Sequence, residues 1–498
     1  MTAILFRCDA SIAMGSGHVM RCRTLARELK KRGVKITFLC RRQHGDLIDL
    51  LDQEFRVLAL PYQSIVTCEG LEGRALYEAW LGCNQEQDAV NCLEVLNDAG
   101  ITTTNWLVLD HYGLDISWES QMLAGLTSGD VNPQLLVIDD LADRSHQADL
   151  LLDQNLFGEA TNQRYQGLLP STCRQLLGPH YALLGQEYAQ LHPLVPARRE
   201  LRRVLVFFGG ADKTNLTGLA VEALMEPELS DLAVDVVIGS QSQHRQFVEA
   251  LVARRPFTTL YEQLPSLAGL ILRADLAIGA GGATTWERVC LGLPSLVVTI
   301  AANQQPFVEA LDQSGHLKLL GDAASMTMRK LRTAMLARLS EPFNADPCLE
   351  LTDGRGASRL TIAMLGVVGN INLMPAAAID EAILLRWEND PDLKVNSFSH
   401  VPISASDHHR WFQQGLSDFN RLLLIATSSD GCPLGQIRFD RQTRCAEGQF
   451  RQETFIDLKI DRCSSGLGLE SELVQLGLQA MEKRWGPSIF NETEAFNS

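Results

Sequence analysis

The sequence lacks the paired cysteines and Cys/His clusters that mark zinc sites and disulfide frameworks. Its twelve cysteines are scattered from Cys8 to Cys463 without a CxxC pair, which favours reduced thiols in a cytosolic protein. It also lacks a hydrophobic run long enough to cross a bilayer. Arg7 and Asp9 interrupt the apolar stretch near the N-terminus, which argues against a signal peptide. We therefore expect a cytoplasmic protein that holds no metal and makes no membrane contact.

Excess positive charge is missing as well, since the formal net charge is −16. Nucleic acids are bound through clustered lysine and arginine, so we exclude nucleic acid as the main partner. A single nucleotide is compatible with this charge, because it needs only a local electropositive pocket. The 498 residues are too many for one hydrophobic core, and about two to four domains are expected.

The stretch 9–33 is the feature around which the chain is organised. A short strand at residues 4–6 precedes Gly15-Ser16-Gly17-His18, and an amphipathic helix then runs to a natural stop at Gly33. The glycines let a ligand approach the backbone. The helix dipole disfavours imidazolium, so His18 should be neutral near pH 7 and able to accept a proton. Two interpretations stay open: His18 acts as a base, or it caps the helix and packs against the loop. The basic residues of the helix, Arg21 included, are placed mostly away from its apolar face.

Apolar strands alternate with helical patterns along the first half of the chain. Strands are predicted at 34–40, 105–109, 134–138 and 150–152, which indicates βαβ units and a parallel sheet covered on both faces. Polar residues follow the strand ends, where ligands bind in such sheets. For Asp139, Asp140 and Asp153 we favour a role as helix caps or turn formers. For Asp110 and His111 that role and ligand binding stay equally open.

A second series of strands begins at residue 203, where the first strand runs into Gly209-Gly210-Ala211-Asp212, and it continues with a strand at 234–239. A later strand at 275–278 leads into the most specific local signal, the stretch 279–287 (GAGGATTWE). Its glycines expose backbone N–H groups and its threonines add hydroxyls, which suits a diphosphate. Glu287 either binds a sugar diol or only complements the helix dipole. After the strand at 293–300, Asn303 either faces a ligand or lies in a solvated loop.

These patterns predict an α/β protein with two Rossmann-like domains in the GT-B arrangement, closed by a helix at 358–365, and a smaller α+β domain after them. The expected boundaries are 1–195 for the catalytic, sugar-side domain and 196–366 for the UDP-binding domain. A linker at 367–377 then leads to the last domain at 378–498.

Several ordered motifs between residues 1 and 365 resemble one family, the pseudaminic-acid pathway hydrolases of UDP-2,4-diacetamido-2,4,6-trideoxy-β-L-altropyranose. The motifs are Phe6-Arg7-Cys8-Asp9, Gly15-Ser16-Gly17-His18, Leu109-Asp110-His111-Tyr112-Gly113, Ile138-Asp139-Asp140, Gly178-Pro179-His180-Tyr181-Ala182-Leu183-Leu184, Phe208-Gly209-Gly210-Ala211-Asp212 and the stretch 279–287. This family is similar in fold to the MurG-like glycosyltransferases. The resemblance implies hydrolysis of the UDP-sugar to UDP and free sugar, with inversion and without a cofactor.

The resemblance places the catalytic histidine on His18, and His111 or an aspartate would support it. It places the UDP-contacting loop on residues 281–287 and a ligand-contacting asparagine on Asn303. The substrate-binding residues expected overall are Gly15, Gly17, Asp110, His111, Tyr181, Gly210, Gly281, Gly282, Ala283, Thr284, Glu287 and Asn303. One departure stands out: after Leu184 the family has an arginine, where this chain has Gly185 and Gln186.

The C-terminal part resembles the GNAT superfamily of acetyltransferases. The resemblance rests on the stretch 382–390 (AILLRWEND), on His408-His409-Arg410-Trp411-Phe412, on strands at 435–440 and 455–460, and on Ser464-Ser465-Gly466-Leu467-Gly468 before a helix at 469–485. It implies that Gly466 and Gly468 bind acetyl-CoA, and that the substrate is the 4-amino UDP-sugar. Cys463 stands where the superfamily has glutamine or arginine. The strand and helix that normally follow residue 486 are expected to be missing, so two interpretations stay open: an incomplete domain without activity, or an active N-acetyltransferase.

Three functions stay in competition on this evidence. The first is hydrolysis of a UDP-linked deoxyamino sugar, alone or joined to N-acetylation. The second is a MurG-like glycosyltransferase, which would need an acceptor site that excludes water. The third is a sugar-nucleotide sensor that binds its ligand without turnover.

Overall fold

The computed structural model describes residues 2–62, 70–127, 132–239, 242–262, 264–339, 345–390, 402–446 and 449–486. It divides into two compact units, residues 1–357 and 358–498. This division counts residues 358–366 with the second unit, whereas the sequence places them with the UDP-binding half. A search of the described helices finds none with the length and apolar character that a membrane span requires.

The first unit contains a seven-stranded parallel sheet with the order β3-β2-β1-β4-β5-β6-β7. Its strands are β1 (Ala3–Cys8), β2 (Lys35–Arg41), β3 (Arg56–Leu60), β4 (Trp106–Asp110), β5 (Gln134–Ile138), β6 (Leu150–Asp153) and β7 (Arg174–Leu177). The helices that connect them are α1 (Gly17–Lys31), α2 (Ile48–Asp52), α3 (Gly73–Leu81), α4 (Gln85–Asp98), α5 (Ile116–Leu126) and α6 (Gln186–Leu191). The central strands are buried on both faces, as their continuous apolar runs predict.

The same unit contains a second, six-stranded parallel sheet with the order β10-β9-β8-β11-β12-β13. Its strands are β8 (Arg203–Phe207), β9 (Ala233–Ile238), β10 (Thr258–Glu262), β11 (Leu276–Ala280), β12 (Ser295–Thr299) and β13 (Lys318–Asp322). Its helices are α7 (Leu216–Ala223), α8 (Arg245–Arg254), α9 (Ala268–Arg273), α10 (Thr284–Cys290), α11 (Gln305–Gln313), α12 (Met328–Arg338) and α13 (Asp346–Leu351), and α14 (Gly356–Leu365) contains the division point.

Side chains of the second sheet alternate between two apolar cores, one on each face. Val204 and Val206 belong to one core and Leu205, between them, belongs to the other. This is the two-residue period of a strand covered on both sides. The structure therefore confirms the part of the sequence prediction that concerns two parallel α/β sheets.

The second unit contains a four-stranded antiparallel sheet with the order β14-β15-β16-β17. The strands are β14 (Asn372–Pro375), β15 (Arg421–Thr427), β16 (Pro433–Ala446) and β17 (Gln449–Ile460), and the helices are α15 (Glu381–Asn389), α16 (Ala405–Ser417) and α17 (Glu470–Trp485). Apolar residues of β15 pack in turn towards α15 and α16 or towards α17. The α+β character agrees with the prediction, while membership of the GNAT superfamily stays a prediction. The expected absence of a final strand and helix concerns residues after 486, which lie outside the described ranges.

Candidate active site

Both parallel sheets reverse their strand order next to their first strand. In such sheets a crevice forms at the carboxyl ends of the two strands that flank the reversal, and ligands bind there. In the first sheet these strands are β1 and β4, so the loop before α1 meets the end of β4 at Asp110. In the second sheet they are β8 and β11, followed by the loops 208–212 and 281–283. The topology thus places the predicted glycine-containing loops at the two crevices.

His18 is the second residue of α1 and lies at the first crevice with 5% of its surface exposed. The loop before it is held by a bridge between Ser11 and Gly15, and Gly15 has a φ of +86°. The residue at the N-cap position of α1 is Ser16, and its side chain makes no capping hydrogen bond. His18 lies inside the helix and its Nδ1 pairs with Asp110, so it is not the helix cap, which was one of the two interpretations of the sequence.

The imidazole of His18 is paired with the carboxylate of Asp110. His18 Nδ1 lies 2.6 Å from Asp110 Oδ1. Burial alone would raise the pKa of the Asp110 carboxyl, but the Arg21 guanidinium and the His18 ring outweigh burial and hold that pKa well below its usual range. An ionised carboxylate only accepts hydrogen bonds, so in the neutral tautomer that fits this contact Nδ1 carries the proton and Nε2 has the lone pair. Within the described ranges no hydrogen bond engages Nε2, which leaves it available to accept a proton.

Arg21 is a site residue that the sequence analysis misplaced among the mostly peripheral basic residues. It is only 7% exposed, and it donates to both oxygens of Asp110, from Nε at 2.6 Å and from a terminal nitrogen at 2.7 Å. Its other terminal nitrogen lies 3.1 Å from Asp140 Oδ2. Residues three apart share a helix face, so the spacing from His18 to Arg21 was the signal available in the sequence.

His111, which the sequence analysis offered as a ligand contact and as support for His18, is held inside the protein by its own contacts. The residue is 1% exposed, its Nδ1 accepts a hydrogen bond from the Gly113 N–H at 3.0 Å, and its Nε2 lies 3.6 Å from Asp9. Burial lowers the pKa of His111 to about 3, so the ring is neutral. These contacts hold the loop after β4. A ligand contact of His111 stays a prediction, and of the two supports expected for His18 it is an aspartate, Asp110, that pairs with the ring.

The strand-end aspartates of β5 and β6 behave mostly as turn formers, as the sequence favours. Asp139 accepts from the Ala142 N–H at 2.9 Å, and Asp153 accepts from the Asn155 N–H at 3.0 Å. Burial, with a contribution from Asp140, raises the pKa of Asp153 to about 8. Asp140 differs from the other two, since its carboxylate joins the buried polar network through Arg21.

The loop after β11 presents a row of unpaired backbone donors. Gly281 N–H is used by the sheet, where it donates to Val298. The next three N–H groups, of Gly282, Ala283 and Thr284, donate to no acceptor among the described residues. Helix α10 has only seven residues, so these three donors matter more than its dipole. Successive free N–H groups of this kind can bind phosphate oxygens.

Close packing explains why the loop needs glycine at its first position. A Cβ on Gly281 would lie 2.7 Å from a methyl carbon of Val308. Thr285 points inward, with its hydroxyl accepting from Arg288 at 3.1 Å, so Thr284 is the threonine left at the loop surface. No group of three or more His, Cys, Asp or Glu side chains in the described part of the chain is arranged to hold a metal ion.

Glu287 lies one turn into α10, and its carboxyl group is partly shielded from solvent. One oxygen, Oε2, is buried without a hydrogen-bond partner among the described side chains. Burial raises the pKa of Glu287 to about 7, while Tyr188 and Arg288 act in the opposite direction. The Tyr188 hydroxyl is the hydrogen-bonding neighbour of this carboxyl, and the contact of Glu287 to a sugar diol stays a prediction.

The remaining predicted residues occupy different places in the first unit. Gly210 is exposed in the loop after β8, where a Cβ would lie 3.9 Å from the Ser16 hydroxyl. Asn303 donates from Nδ2 to the hydroxyl of Tyr112 at 3.3 Å, and the Tyr112 ring stands edge-on to the His18 ring at 4.4 Å. These contacts bring residues from both sheets to the surroundings of His18.

Two predicted features lie further from this centre. Tyr181 is 5% exposed, and its backbone is so close to Gly356 that a Cβ there would come within 2.4 Å. Gln186, near the position of the arginine that the resemblance leads one to expect, accepts a hydrogen bond from Lys31 at 2.8 Å. Neither contact assigns a ligand to these residues, so the role of Tyr181 stays a prediction.

In the second unit, Gly466 and Gly468 both have left-handed backbone conformations, with φ of +73° and +72°. The loop they form leads into α17, and open space surrounds both Cβ positions. The preceding residues are committed to the fold: Cys463 is buried, and Arg462 makes two hydrogen bonds of 2.6 Å to Asp390. The two glycines leave space at the start of α17, while Cys463 and Arg462 are engaged within the fold, so a phosphate-binding role for this loop stays a prediction.

Sequence comparison finds similarity to three proteins. The spore coat polysaccharide biosynthesis protein SpsG of Bacillus subtilis (strain 168) is 32% identical over 192 residues, which is 36% of this chain and 56% of SpsG. This chain therefore spans little more than half the length of that relative. An uncharacterised protein of Methanocaldococcus jannaschii is 21% identical over 449 residues, which is 86% of this chain and 81% of that protein.

The third protein, the UDP-2,4-diacetamido-2,4,6-trideoxy-beta-L-altropyranose hydrolase of Campylobacter jejuni, is 26% identical over 233 residues, which is 46% of this chain and 68% of that protein. No family model matches the chain. Among solved structures, similarity extends to Acinetobacter baumannii MurG (TM-score 0.46, 13% identity) and to the UDP-GlcNAc 2-epimerase of Neisseria meningitidis (TM-score 0.44, 12% identity). Each similarity covers 73% of this chain and 99% of the solved chain.

Proposed function

We propose that the first unit hydrolyses a UDP-linked 2,4-diacetamido-2,4,6-trideoxyhexose to UDP and the free sugar. The observation that carries this proposal is the pairing of His18 Nδ1 with Asp110 at 2.6 Å, which leaves Nε2 as a proton acceptor. An oriented imidazole of this kind suits a general base. A protein that only binds its ligand has no need of one.

The unpaired N–H groups of Gly282, Ala283 and Thr284 support the choice of a diphosphate as the leaving group. Aimed donors of this kind neutralise the charge that develops as the diphosphate departs, without rearranging during the reaction. Glu287 would accept hydrogen bonds from the ribose diol. The nucleotide thus occupies the second crevice, and its sugar points towards His18.

The reaction then follows in one displacement step. His18 Nε2 removes a proton from water, and the water oxygen forms a bond to the anomeric carbon as the bond from that carbon to the diphosphate oxygen breaks. The electron pair leaves with UDP, and the anomeric configuration inverts because attack comes from the face opposite to the leaving group. Asp110 stabilises the imidazolium that forms, and this ion then releases its proton to solvent.

The names of two relatives support this class of substrate. The Campylobacter jejuni relative is named as a hydrolase of exactly such a UDP-sugar, and the Bacillus subtilis relative is named for polysaccharide biosynthesis. The stereochemistry of the hexose belongs to the proposal and is taken from the first name.

The test is incubation of the full chain with UDP-2,4-diacetamido-2,4,6-trideoxy-β-L-altropyranose, with UDP release and anomeric configuration followed by NMR. We expect UDP and inverted free sugar with water as the acceptor. His18→Ala should bind UDP with unchanged affinity and lose turnover by about 10²-fold or more. The control is His44→Ala, since His44 is exposed and only its backbone carbonyl makes a described contact, to the Ile12 N–H.

Two results would contradict the hydrolase proposal. UDP release that requires an added sugar or lipid acceptor would favour the glycosyltransferase alternative. Tight binding of the UDP-sugar without any release of UDP would favour the sensor. Retention of most turnover by His18→Ala would overturn the assignment of the base.

We further propose that the second unit binds acetyl-CoA and N-acetylates the 4-amino precursor of the same UDP-sugar. The left-handed pair Gly466 and Gly468 ahead of a 16-residue helix supports this proposal, because such a loop offers backbone N–H groups to a pyrophosphate. Acetyl-CoA would supply the acetyl group. Isothermal titration of the full chain with acetyl-CoA is the test, with Gly468→Val as the variant expected to lose binding, and an absence of binding heat would refute the proposal.

A further inference from the structure

Asn155 lies between the two parallel sheets of the first unit and is hydrogen-bonded to a partner from each. It follows β6 of the first sheet, yet its Oδ1 accepts a hydrogen bond from Trp286 Nε1 in α10 at 3.1 Å. Its Nδ2 lies 3.3 Å from Asp140 Oδ2. Asn155 and Trp286 are 4% and 1% exposed. The hydrogen bond to Trp286 is therefore shielded from water and costly to break, while the bond to Asp140 is partly buried.

The hydrogen bonds continue from Asp140 to the base. Arg21 donates to Asp140 at 3.1 Å and, through two other nitrogens, to both oxygens of Asp110. Asp110 in turn holds His18 Nδ1. At the other end, Trp286 precedes Glu287 directly and lies two residues after Thr284, the last of the three residues whose N–H groups have no described acceptor. A continuous chain of buried and partly buried side chains thus joins the loop 281–284 (the nucleotide loop) to the imidazole.

The chemistry of the two neighbours specifies an amide at position 155. An indole N–H only donates a hydrogen bond, and the Asp140 carboxylate, when ionised, only accepts one. A side chain between them must accept on one side and donate on the other. Among side chains of this length, asparagine does both without carrying a charge.

We propose that Asn155 is a positioning residue that couples the nucleotide loop to the His18 base, so that the base is aligned when the loop holds a diphosphate. The inference rests on the proposed hydrolase function. Asn155 touches neither the reacting atoms nor the nucleotide; it acts through Asp140 and Arg21 on one side and through Trp286 on the other. A role confined to packing would instead affect stability and leave the chemical step unchanged.

The first test replaces Asn155 with leucine, which has a similar shape and no polar group. We expect kcat for UDP release to fall on the order of 10- to 100-fold, because a base displaced by about an ångström is no longer aligned with the water proton that it removes. The Kd for UDP should remain within about threefold, since none of the loop N–H groups is altered. Gln154→Leu is the matched control: it removes a buried amide from the same loop, one that accepts from the Leu183 N–H instead. We expect its kcat to stay within about threefold of that of the unmodified chain.

A double-mutant cycle separates coupling from general disturbance. Trp286→Phe removes the indole donor and interrupts the same chain of hydrogen bonds, so the double variant with Asn155→Leu should be no slower than the slower single variant. If the fold reductions in kcat of the two single variants multiply in the double variant, the two residues act independently and the proposal is overturned. Should Asn155→Leu fail to fold, Asn155→Asp replaces it in the cycle, because it keeps an acceptor for Trp286 and sets a carboxylate against Asp140.

NMR of the His18 ring tests the coupling without any hydrolysis, so its result can be separated from that of the hydrolase proposal. The ring nitrogens of His18, assigned by NMR through the His18→Ala spectrum, should shift when UDP is added to the unmodified chain and stay unmoved in Asn155→Leu at saturating UDP. If UDP moves the His18 signals and the UDP-sugar is not hydrolysed, the coupling stands and the hydrolase proposal falls. If hydrolysis occurs and Asn155→Leu matches the unmodified chain in kcat and in the NMR response, the coupling alone falls. A chain that neither binds UDP nor turns over would overturn both.

Discussion

His18 Nδ1 lies 2.6 Å from Oδ1 of Asp110, a residue 92 positions further along the chain. The contact forms because β1 and β4 are neighbours in the sheet, so the start of α1 faces the end of β4. It determines which ring nitrogen of His18 carries the proton. The base assignment therefore rests on a pair of residues, and each member can be tested separately.

Asp110→Asn should abolish most of the turnover while it retains UDP binding. An amide in this place can present its N–H to the ring and favour the wrong tautomer, for which a loss of roughly 10³- to 10⁴-fold in kcat is expected. Arg21 would lose a charged partner, so the midpoint of thermal unfolding should fall as well. UDP-release kinetics and titration with UDP are the measurements. A variant with kcat within tenfold of the original would show that Asp110 does not orient the base.

Gly281→Ala should weaken UDP binding without changing the groups that perform the chemistry. The added Cβ would meet a Val308 methyl carbon at 2.7 Å, so the loop must shift and its free N–H groups lose their alignment. We expect Kd for UDP to rise by about tenfold, the effect of losing one or two charge-assisted hydrogen bonds. Gly269→Ala is the control, because a Cβ there enters open space. Equal affinities in both variants would contradict the proposed role of the loop.

The affinity for UDP should depend on pH through Glu287. Burial raises the pKa of this carboxyl from 4.5 to about 7, and ribose hydroxyls that donate to it favour its ionised form. Binding should therefore strengthen as pH rises through about 7, where the carboxyl loses its proton in the free protein. The phosphate of UDP titrates nearby, with a pKa of about 6, so Glu287→Gln serves as the reference. The Kd of Glu287→Gln divided by the Kd of the unmodified protein, measured by titration between about pH 5.5 and 8.5, should grow as pH rises. A ratio that stays constant would exclude the contact.

Asp153 should make the protein less stable as pH rises. Burial and Asp140 raise its pKa from 3.8 to about 8, so the folded state favours the protonated acid. The stabilisation this provides is complete below about pH 4 and is lost as pH rises towards and through about 8. Asp153→Asn cannot ionise, and it should gain about 1–3 kcal/mol over the unmodified protein between pH 5 and pH 8.5. Urea unfolding at the two pH values measures this, and parallel stability curves would show that Asp153 does not titrate in this range.

The success of strand prediction depends on position in the sheet. The central strands, such as β4 (Trp106–Asp110) and β11 (Leu276–Ala280), are buried at every residue and read as continuous apolar runs. All four strands of the parallel sheets that were missed are edge strands: β3, β7, β10 and β13. In β10 (TTLYE) and β13 (KLLGD) most residues are partly exposed, and these sequences carry too few apolar residues to stand out as strands.

The sequence by itself determined the glycine-containing loops, the polar residues at the strand ends and the alternation of strands and helices. These are local properties, since they depend on φ preferences, on apolar periodicity and on residues that are close in the chain. The tertiary structure decided how the residues combine. It paired His18 with Asp110 rather than with His111, buried Arg21 between two carboxylates, and joined Asn155 to Trp286 across 131 positions. Such pairings depend on strand order and on burial, because only the folded chain brings distant residues together and removes them from water.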